Sequence, residues 1–260
     1  MSYLGTRIRF NGNHLTSVDG LTILSHNPYA TPKRKIHIGE IARTHKSKAH
    51  SGFFSERLIT VRVNIVQSTR ALLEQALDSL HALLQTVEGE LIVEQGGADR
   101  RYYATMSDIQ FLQEGGSYAE LNIIFVCSDR FGYATAATTV VSLTGVTAGT
   151  RSDQYNWQGS AEWQLPIITL TYTAISGGTD KTVTLGNNAN GQTLSVNRDW
   201  ATSDVLIVNC FNNTVKVNGT DVDFSGAFPE FAPGTGSLAY ADDFTTRTFN
   251  YNVVYYKRYV

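Results

Sequence analysis

From about Gly132 to the C-terminus nothing in the chain has the period of a helix, and short runs of strand-forming residues recur every eight to twelve residues. The runs are 138–143, 161–172, 181–185, 192–197, 204–210, 214–218, 222–225, 237–240 and 247–258. Turn-forming residues separate them at Gly177–Gly178, Asn187–Gly191, Asn212–Asn213 and Asn218–Gly219. Glycine and asparagine are used there because they tolerate left-handed backbone. This punctuation prescribes an antiparallel β-sandwich, with DVLIVNC as a central strand and TVKVNGTDVDF as a hairpin turned at Asn218–Gly219.

The first half obeys different rules. Residues 3–10 and 21–24 read as short strands around a turn at Val18–Gly20. Residues 53–66 alternate, with Ile59, Val61, Val63 and Ile65 opposing Leu58, Thr60, Arg62 and Asn64. Across Ser68–Val87, Leu73, Leu77, Leu80, Leu84 and Val87 recur at spacings of three and four, the signature of one helical face. Ser68 or Thr69 is positioned to cap that helix and Gly89 to end it in the left-handed conformation. Strands at 90–95, 100–112 and 118–127 follow, divided by turns at Gly96–Asp99 and Gly115–Gly116. The expected fold is an α+β domain over 1–132, antiparallel strands with one helix, followed by an all-β antiparallel sandwich over 133–260.

Two domains suit a chain of 260 residues. Hydrophobic residues at 42 % and aromatics at 11 % suffice to fill two cores. Charged residues are only 17 %, with Thr, Ser, Asn and Gly supplying the polar surface, which points to surfaces spent on protein contacts. The net charge of −2 exerts no global pull towards nucleic acid or membrane. No apolar run approaches the roughly 20 residues of a membrane span, and MSYLGTRIRF lacks the apolar stretch of a secretory signal. Synthesis in a cytoplasm is therefore expected, with Cys127 and Cys210 as buried thiols and not a disulfide.

A search for chemistry returns no catalytic, cofactor or metal site. Histidines 26, 37, 45 and 50 are close in sequence, but His45 and His50 lie in a polar stretch, THKSKAHSG, without the tight ligand spacing of a zinc site. His14 and His81 are isolated. A nucleophile elbow, a phosphate-binding loop and a dinucleotide fingerprint are all absent from the sequence. Asp221, Asp223, Glu230, Asp242 and Asp243 offer carboxylates for a glycosidase pair, but the favoured reading is that they cap turns and face solvent.

Charge is densest over 33–57, where Lys33, Arg34, Lys35, Arg43, Lys46, Lys48 and Arg57 face only Glu40 and Glu56. Such a segment binds phosphate backbones in some proteins, but it lacks the interleaved aromatics of single-strand binders. An exposed loop that contacts an acidic neighbour is the favoured reading; lining a channel through which DNA passes is the weaker variant. Among the tryptophans, Trp163 and Trp200 sit among strand residues and read as core. Trp157 in DQYNWQG is the one ring expected to be exposed to a partner.

Two stretches carry a resemblance. LLEQALDSLHALLQTVEGELIVEQGGADRRYYATMSDI leads on to FVCSDRFG at 125–132, and 183–259 contains V-x-V-N-G-T, F-P-E-F-x-P-G and a terminal Y-x-K-R-Y. Together they resemble the distal tail protein family of long-tailed, non-contractile phages. The resemblance implies a virion protein of the tail tip, assembled in the host cytoplasm. Its N-terminal domain would build a homo-oligomeric ring, a hexamer, between the tail tube and the tail-tip proteins, with DNA met only as it passes through the lumen. Its C-terminal domain would be a galectin-like sandwich that projects outward to hold receptor-binding or baseplate proteins. In FPEFAPG two prolines fix the backbone, so a rigid surface loop is expected, with Phe228 and Phe231 anchoring into their own domain or a neighbour. The second half contains no histidine, so a galectin-type sugar site in its usual form is absent. The alternatives are a carbohydrate-binding module for host attachment, or more remotely a wall-degrading enzyme.

Overall fold

The computed structural model describes residues 7–27, 34–40, 47–54, 56–94, 99–157, 163–232 and 234–259, with 34–40 and 47–54 described as strand backbone. The chain divides into two compact units, Met1–Thr135 (with Val260) and Ala136–Tyr259.

The first unit runs β1 (Arg7–Phe10), β2 (Asn13–His14), β3 (Leu21–His26), β4 (Arg34–Glu40), β5 (Ser47–Phe54), β6 (Arg57–Val66), α1 (Arg70–Leu84), β7 (Gly89–Glu94), β8 (Arg100–Glu114), β9 (Tyr118–Cys127) and β10 (Gly132–Ala134). Its main sheet has the order β2-β1-β7-β8-β9-β6-β3, with β10 also paired to β8. Alternation in β6 works as expected: Ile59, Val61, Val63 and Ile65 are fully buried while Leu58 is half exposed. They meet Leu121, Ile123 and Phe125 of β9 and Leu73, Leu80 and Leu84 of α1 in one core. Each such side chain contributes roughly 1.5–3 kcal/mol by leaving water, so packing, not propensity, holds this one helix in place.

The helix ends where capping chemistry dictates. Thr69 Oγ1 accepts from Leu72 N at 3.3 Å, satisfying one of the open donors of the first turn. Its C-terminus corrects two expectations. The chain leaves the helix at Gln85, Val87 is 78 % exposed and off the apolar face, and the left-handed residue is Glu88, with φ 55°. Gly89 instead opens β7, where a Cβ would lie 2.6 Å from the Phe10 ring; the glycine is there for close packing.

The second unit contains β11 (Thr138–Val146), β12 (Thr150–Asn156), β13 (Pro166–Ser176), β14 (Lys181–Asn187), β15 (Gln192–Arg198), β16 (Val205–Asn209), β17 (Thr214–Val217), β18 (Thr220–Asp221), β19 (Ser225–Gly226), β20 (Thr235–Asp242), β21 (Thr246–Tyr255) and β22 (Arg258–Tyr259). Two antiparallel sheets, ordered β11-β21-β13-β16-β17-β18 and β12-β20-β14-β15-β19, form the expected sandwich. Leu170, Leu206 and Val253 from one sheet share a core with Val183, Leu194 and Leu238 from the other. Tyr172 is its aromatic centre, with Trp200, Phe244 and Phe249 at 5.5–5.6 Å between ring centroids. Asn218 and Gly219 both have positive φ, 52° and 83°, which is the turn expected between β17 and β18.

Three assignments in this half change. β12 is a strand that the sequence conceals, because TRSDQYN is polar; it is half-covered and, among the described residues, pairs only β20 along one side. The expected strand 222–225 is replaced by the short β18 and β19, two residues each. Asp242 does not face solvent: its side chain is fully buried, accepting from Arg247 Nη2 at 2.7 Å and from Phe244 N at 2.9 Å.

Cys127 and Cys210 are both free and buried. Burial pushes the Cys127 thiol up to about 12 and the Cys210 thiol higher still, so neither is a thiolate at neutral pH. Neither thiol is expected to react with iodoacetamide at pH 8 in the native protein, and both are expected to react within minutes in denaturant. Rapid labelling of the native chain would show that one of the cores is open.

Candidate functional site

The basic segment is not the loop expected from its composition. Arg34–Glu40 and Ser47–Phe54 form a separate two-stranded antiparallel sheet with Arg34 opposite Phe54, Lys35 opposite Phe53 and Gly39 opposite Lys48. The alternation of Ile36 and Ile38 with basic residues was the signal for it. His37 and His50 lie on this hairpin, whereas Lys33, Arg43, Lys46 and His45 lie outside the described residues. Arg57 departs from the group entirely. It is 1 % exposed at the start of β6, its Nε donates to Arg130 O at 3.1 Å, and its guanidinium stands 5.4 Å from the centroid of Tyr102. An arginine with its stem and head so enclosed is a structural side chain.

Trp157 is likewise corrected. Lying just beyond β12, with its backbone N–H on Gly234 O, it is 8 % exposed and belongs to the sandwich core. FPEFAPG anchors into its own unit, the first of the two outcomes expected for its phenylalanines. Phe231 is fully buried, stacks on Tyr155 at 4.3 Å and meets Tyr255 edge-on at 5.7 Å. Its backbone exchanges two hydrogen bonds with Gln164, at 3.1 and 2.8 Å, and Gln192 Oε1 accepts from Glu230 N at 2.8 Å. Phe228 is half-buried and edge-on to Phe224 at 5.0 Å; Phe224 is 42 % exposed. Sequence reasoning missed Phe224, which stands beside the motif in an irregular stretch.

The most distinctive feature is a sheet edge. β8 is long, and only Arg100–Ala104 is covered on its second side, by β7. Beyond Ala104 it pairs β9 alone, through to Glu114 opposite Ala119. Among the described residues no strand covers the other side of Thr105–Glu114. Backbone donors and acceptors along such an edge are a template for another strand. Phe111 and Leu112, 49 % and 47 % exposed, lie on it, and it carries neither proline nor lysine. At the far side of the same sheet β3 pairs only β6 among the described residues, so β8 and β3 offer two different open stretches of edge.

Next to the β8 edge the sheet surface is organised by a polar cluster. Glu120 is 8 % exposed and holds Arg62 while accepting from Tyr118 Oη at 2.8 Å. The Tyr118 and Arg62 hydrogen bonds hold its carboxyl below the usual carboxylate range. Arg70 braces the strand end by pairing with Glu74 at 2.9 Å and with Glu114 at 2.5 Å. The sandwich treats its own long edge differently: on β12, Arg151 and Asp153 point inward and pair at 2.5 Å, side chains only 25 % and 14 % exposed. Inward charges on an edge strand oppose pairing with another chain.

Among the described residues no group of three or more His, Cys, Asp or Glu is placed to hold a metal ion, and no helix is long and apolar enough to cross a membrane. Asp242 is spent on Arg247, and Asp243 lies 4.0 Å from Lys181.

Comparison with known proteins bears on the same two units. Residues 159–259 match the family model described as siphovirus-type tail component, C-terminal domain. No curated protein matches the chain in sequence. In fold the chain is similar to the Dit protein of phage SPP1, described as a paradigm of the hub adsorption apparatus in phages that infect Gram-positive bacteria; identity is 14 %, the match covers 98 % of this chain and 99 % of that one, and the TM-score is 0.76. It is also similar to a chain of the phage P2 baseplate in its activated conformation with calcium, at 6 % identity, 97 % of both chains and a TM-score of 0.55. The same baseplate with strontium gives 9 % identity, 95 % and 97 % coverage and a TM-score of 0.50.

Proposed function

We propose that the chain is a structural hub protein of a siphophage tail tip, whose first unit closes into a homo-oligomeric ring and whose second unit docks other tail-tip proteins. The observation that carries this reading is the pair of unlike open edges, Thr105–Glu114 of β8 and Leu21–His26 of β3, on one sheet. An interface between two different patches of the same subunit is heterologous, and when its rotation closes it makes a ring. The protected β12 edge fits a division of labour, with strand addition confined to the first unit. The match of 159–259 to a siphovirus tail component and the fold shared with a phage hub protein support the same reading.

In this proposal the ring is a hexamer at the virion tail tip, between the tail-tube protein and receptor-binding or baseplate proteins. DNA is met only as it passes through the lumen. The β4–β5 hairpin, with Lys33, Arg34, Lys35, Arg43, Lys46 and Lys48 in and around it, contacts an acidic neighbouring surface. The galectin-like sandwich works as a docking module, and Phe224 with Phe228 is its exposed aromatic point. The chain assembles and does not catalyse.

Native mass spectrometry and negative-stain imaging of the purified chain at tens of micromolar test the proposal. Six-membered rings are expected; a strict monomer at that concentration would overturn it.

A further inference from the structure

The outer face of the β12-β20-β14-β15 sheet has an unusual chemistry. Outward residues alternate with the core residues Tyr155, Leu238, Leu185 and Leu194, and none of them is ionisable. One cross-strand row reads Thr150–Ala241–Thr184–Ser195. These short side chains are fixed by one another: Thr184 and Ser195 hydroxyls are 3.0 Å apart, and Asn197 Nδ2 donates to Thr182 Oγ1 at 3.0 Å. The result is a neutral, pre-organised surface of hydroxyls and amides.

Where β12, β20 and the β14–β15 turn meet, this face is indented by a shallow cleft of about 280 Å³, lined by Gln154, Asn188, Ala189, Thr235, Gly236 and Ser237. The amide of Asn188 donates to Ser237 Oγ at 3.0 Å and to Ser152 Oγ at 3.4 Å, which directs its carbonyl oxygen away from those bonds. The Asn188 N–H bonds Ser237 O at 3.0 Å, and Ala189 N bonds Asn187 Oδ1 at 2.9 Å, so the turn is fixed. The side chains of Gln154 and Thr235 are exposed, and neither has a hydrogen-bond partner among the described residues. Gly236 is an inward position that gives the cleft only backbone, because its inner side is filled by Tyr155, whose hydroxyl a Cβ there would meet at 2.2 Å. Donors and acceptors therefore converge without charge on a recess at the small end of ligand sites, which run from about 300 Å³.

We propose that this cleft binds an uncharged sugar unit of a surface polysaccharide, with Gln154, Asn188, Thr235 and Ser237 bonding its hydroxyls. A neutral polyol can use such amides and hydroxyls as both donors and acceptors. An anionic sugar finds no cation on this face, and an apolar peptide finds no apolar pocket. The site is independent of ring closure. Only the gain in avidity from several clefts on one particle rests on the hub reading.

The test is saturation-transfer NMR on the full chain with methyl glucoside, methyl galactoside, methyl rhamnoside and N-acetylglucosamine, each at about 20 mM, and glucuronate as the charged control. At least one neutral sugar is expected to give transfer, undiminished between about 50 and 500 mM NaCl, because no charge is there to screen. Ser237→Arg, which fills the recess from an outward position, is expected to abolish transfer, and Gln154→Ala to weaken binding about fivefold or more. Melting temperature and particle mass report separately that both variants fold and assemble as the parent does. Silence from all four neutral sugars, transfer that survives Ser237→Arg in the folded protein, or transfer lost in salt would each overturn the assignment.

Discussion

Replacing Phe111 and Leu112 together by lysine is expected to turn the assembled protein into monomers, with association weakened by at least about a hundredfold, as expected when a central pair of contact residues is lost. Both side chains are about half exposed on the stretch of β8 that pairs only β9. Leu112 is also the residue skipped where the β8–β9 register shifts between Phe111 and Gln113. Two lysines there set positive charge against any approaching strand, a device by which natural edge strands resist association. The folded unit should tolerate them. Neither residue belongs to the buried core, and half-exposed side chains return little on burial, about 1 kcal/mol each. Light scattering and analytical centrifugation read the mass, and circular dichroism controls for folding. A folded double variant that keeps the parent mass would remove the β8 edge from the interface.

The same edge shows where legibility in the sequence ends. Core alternation in β6, the α1 stripe and the Asn218–Gly219 turn are local patterns, each set by residues a few positions apart, and each could be read directly. An open edge is the absence of a neighbour: it exists because β7 stops pairing at Ala104 while β8 continues, a relation between distant segments. Burial of Arg57 and Trp157 was hidden for a similar reason. A charged residue at a strand start and a ring after a polar strand both have surface signatures locally. Partners more than forty positions away, Tyr102 and Arg130 for Arg57 and Gly234 for Trp157, reverse them. The cleft on the sandwich was equally invisible, because its Gln154 comes from β12, whose polar sequence reads as loop. The basic segment was legible as charge but misread as loop, since its pairing spans a connection of low apolar content.

Phe231→Ala is expected to cost the second unit about 3–5 kcal/mol, the range for deleting a fully buried aromatic side chain, and to leave association through the first unit intact. The ring contributes more than area. It stacks on Tyr155, whose hydroxyl accepts from Asn187 Nδ2 at 3.0 Å, and Asn187 in turn reaches Glu230 O, so the phenylalanine closes a loop of contacts tying 228–232 to the β14–β15 turn. Leaving a cavity there also loosens the Gln164 bridge, whose side-chain Oε1 accepts from Arg258 N at 3.0 Å. A loss of this size is a large fraction of the 5–15 kcal/mol that holds a typical domain. Two outcomes separate anchoring from partner contact. If Phe231 anchors its own unit, denaturant unfolding shows one transition moved to lower concentration and another unchanged, with ring mass preserved. If it were a contact residue for another protein, both transitions would stay in place and only partner binding would fall. Leu replaces much of the lost volume but not the stack on Tyr155, so Phe231→Leu should recover more than half of the stability. Recovery of that order would show that filling the core, more than ring-on-ring geometry, is what this motif contributes.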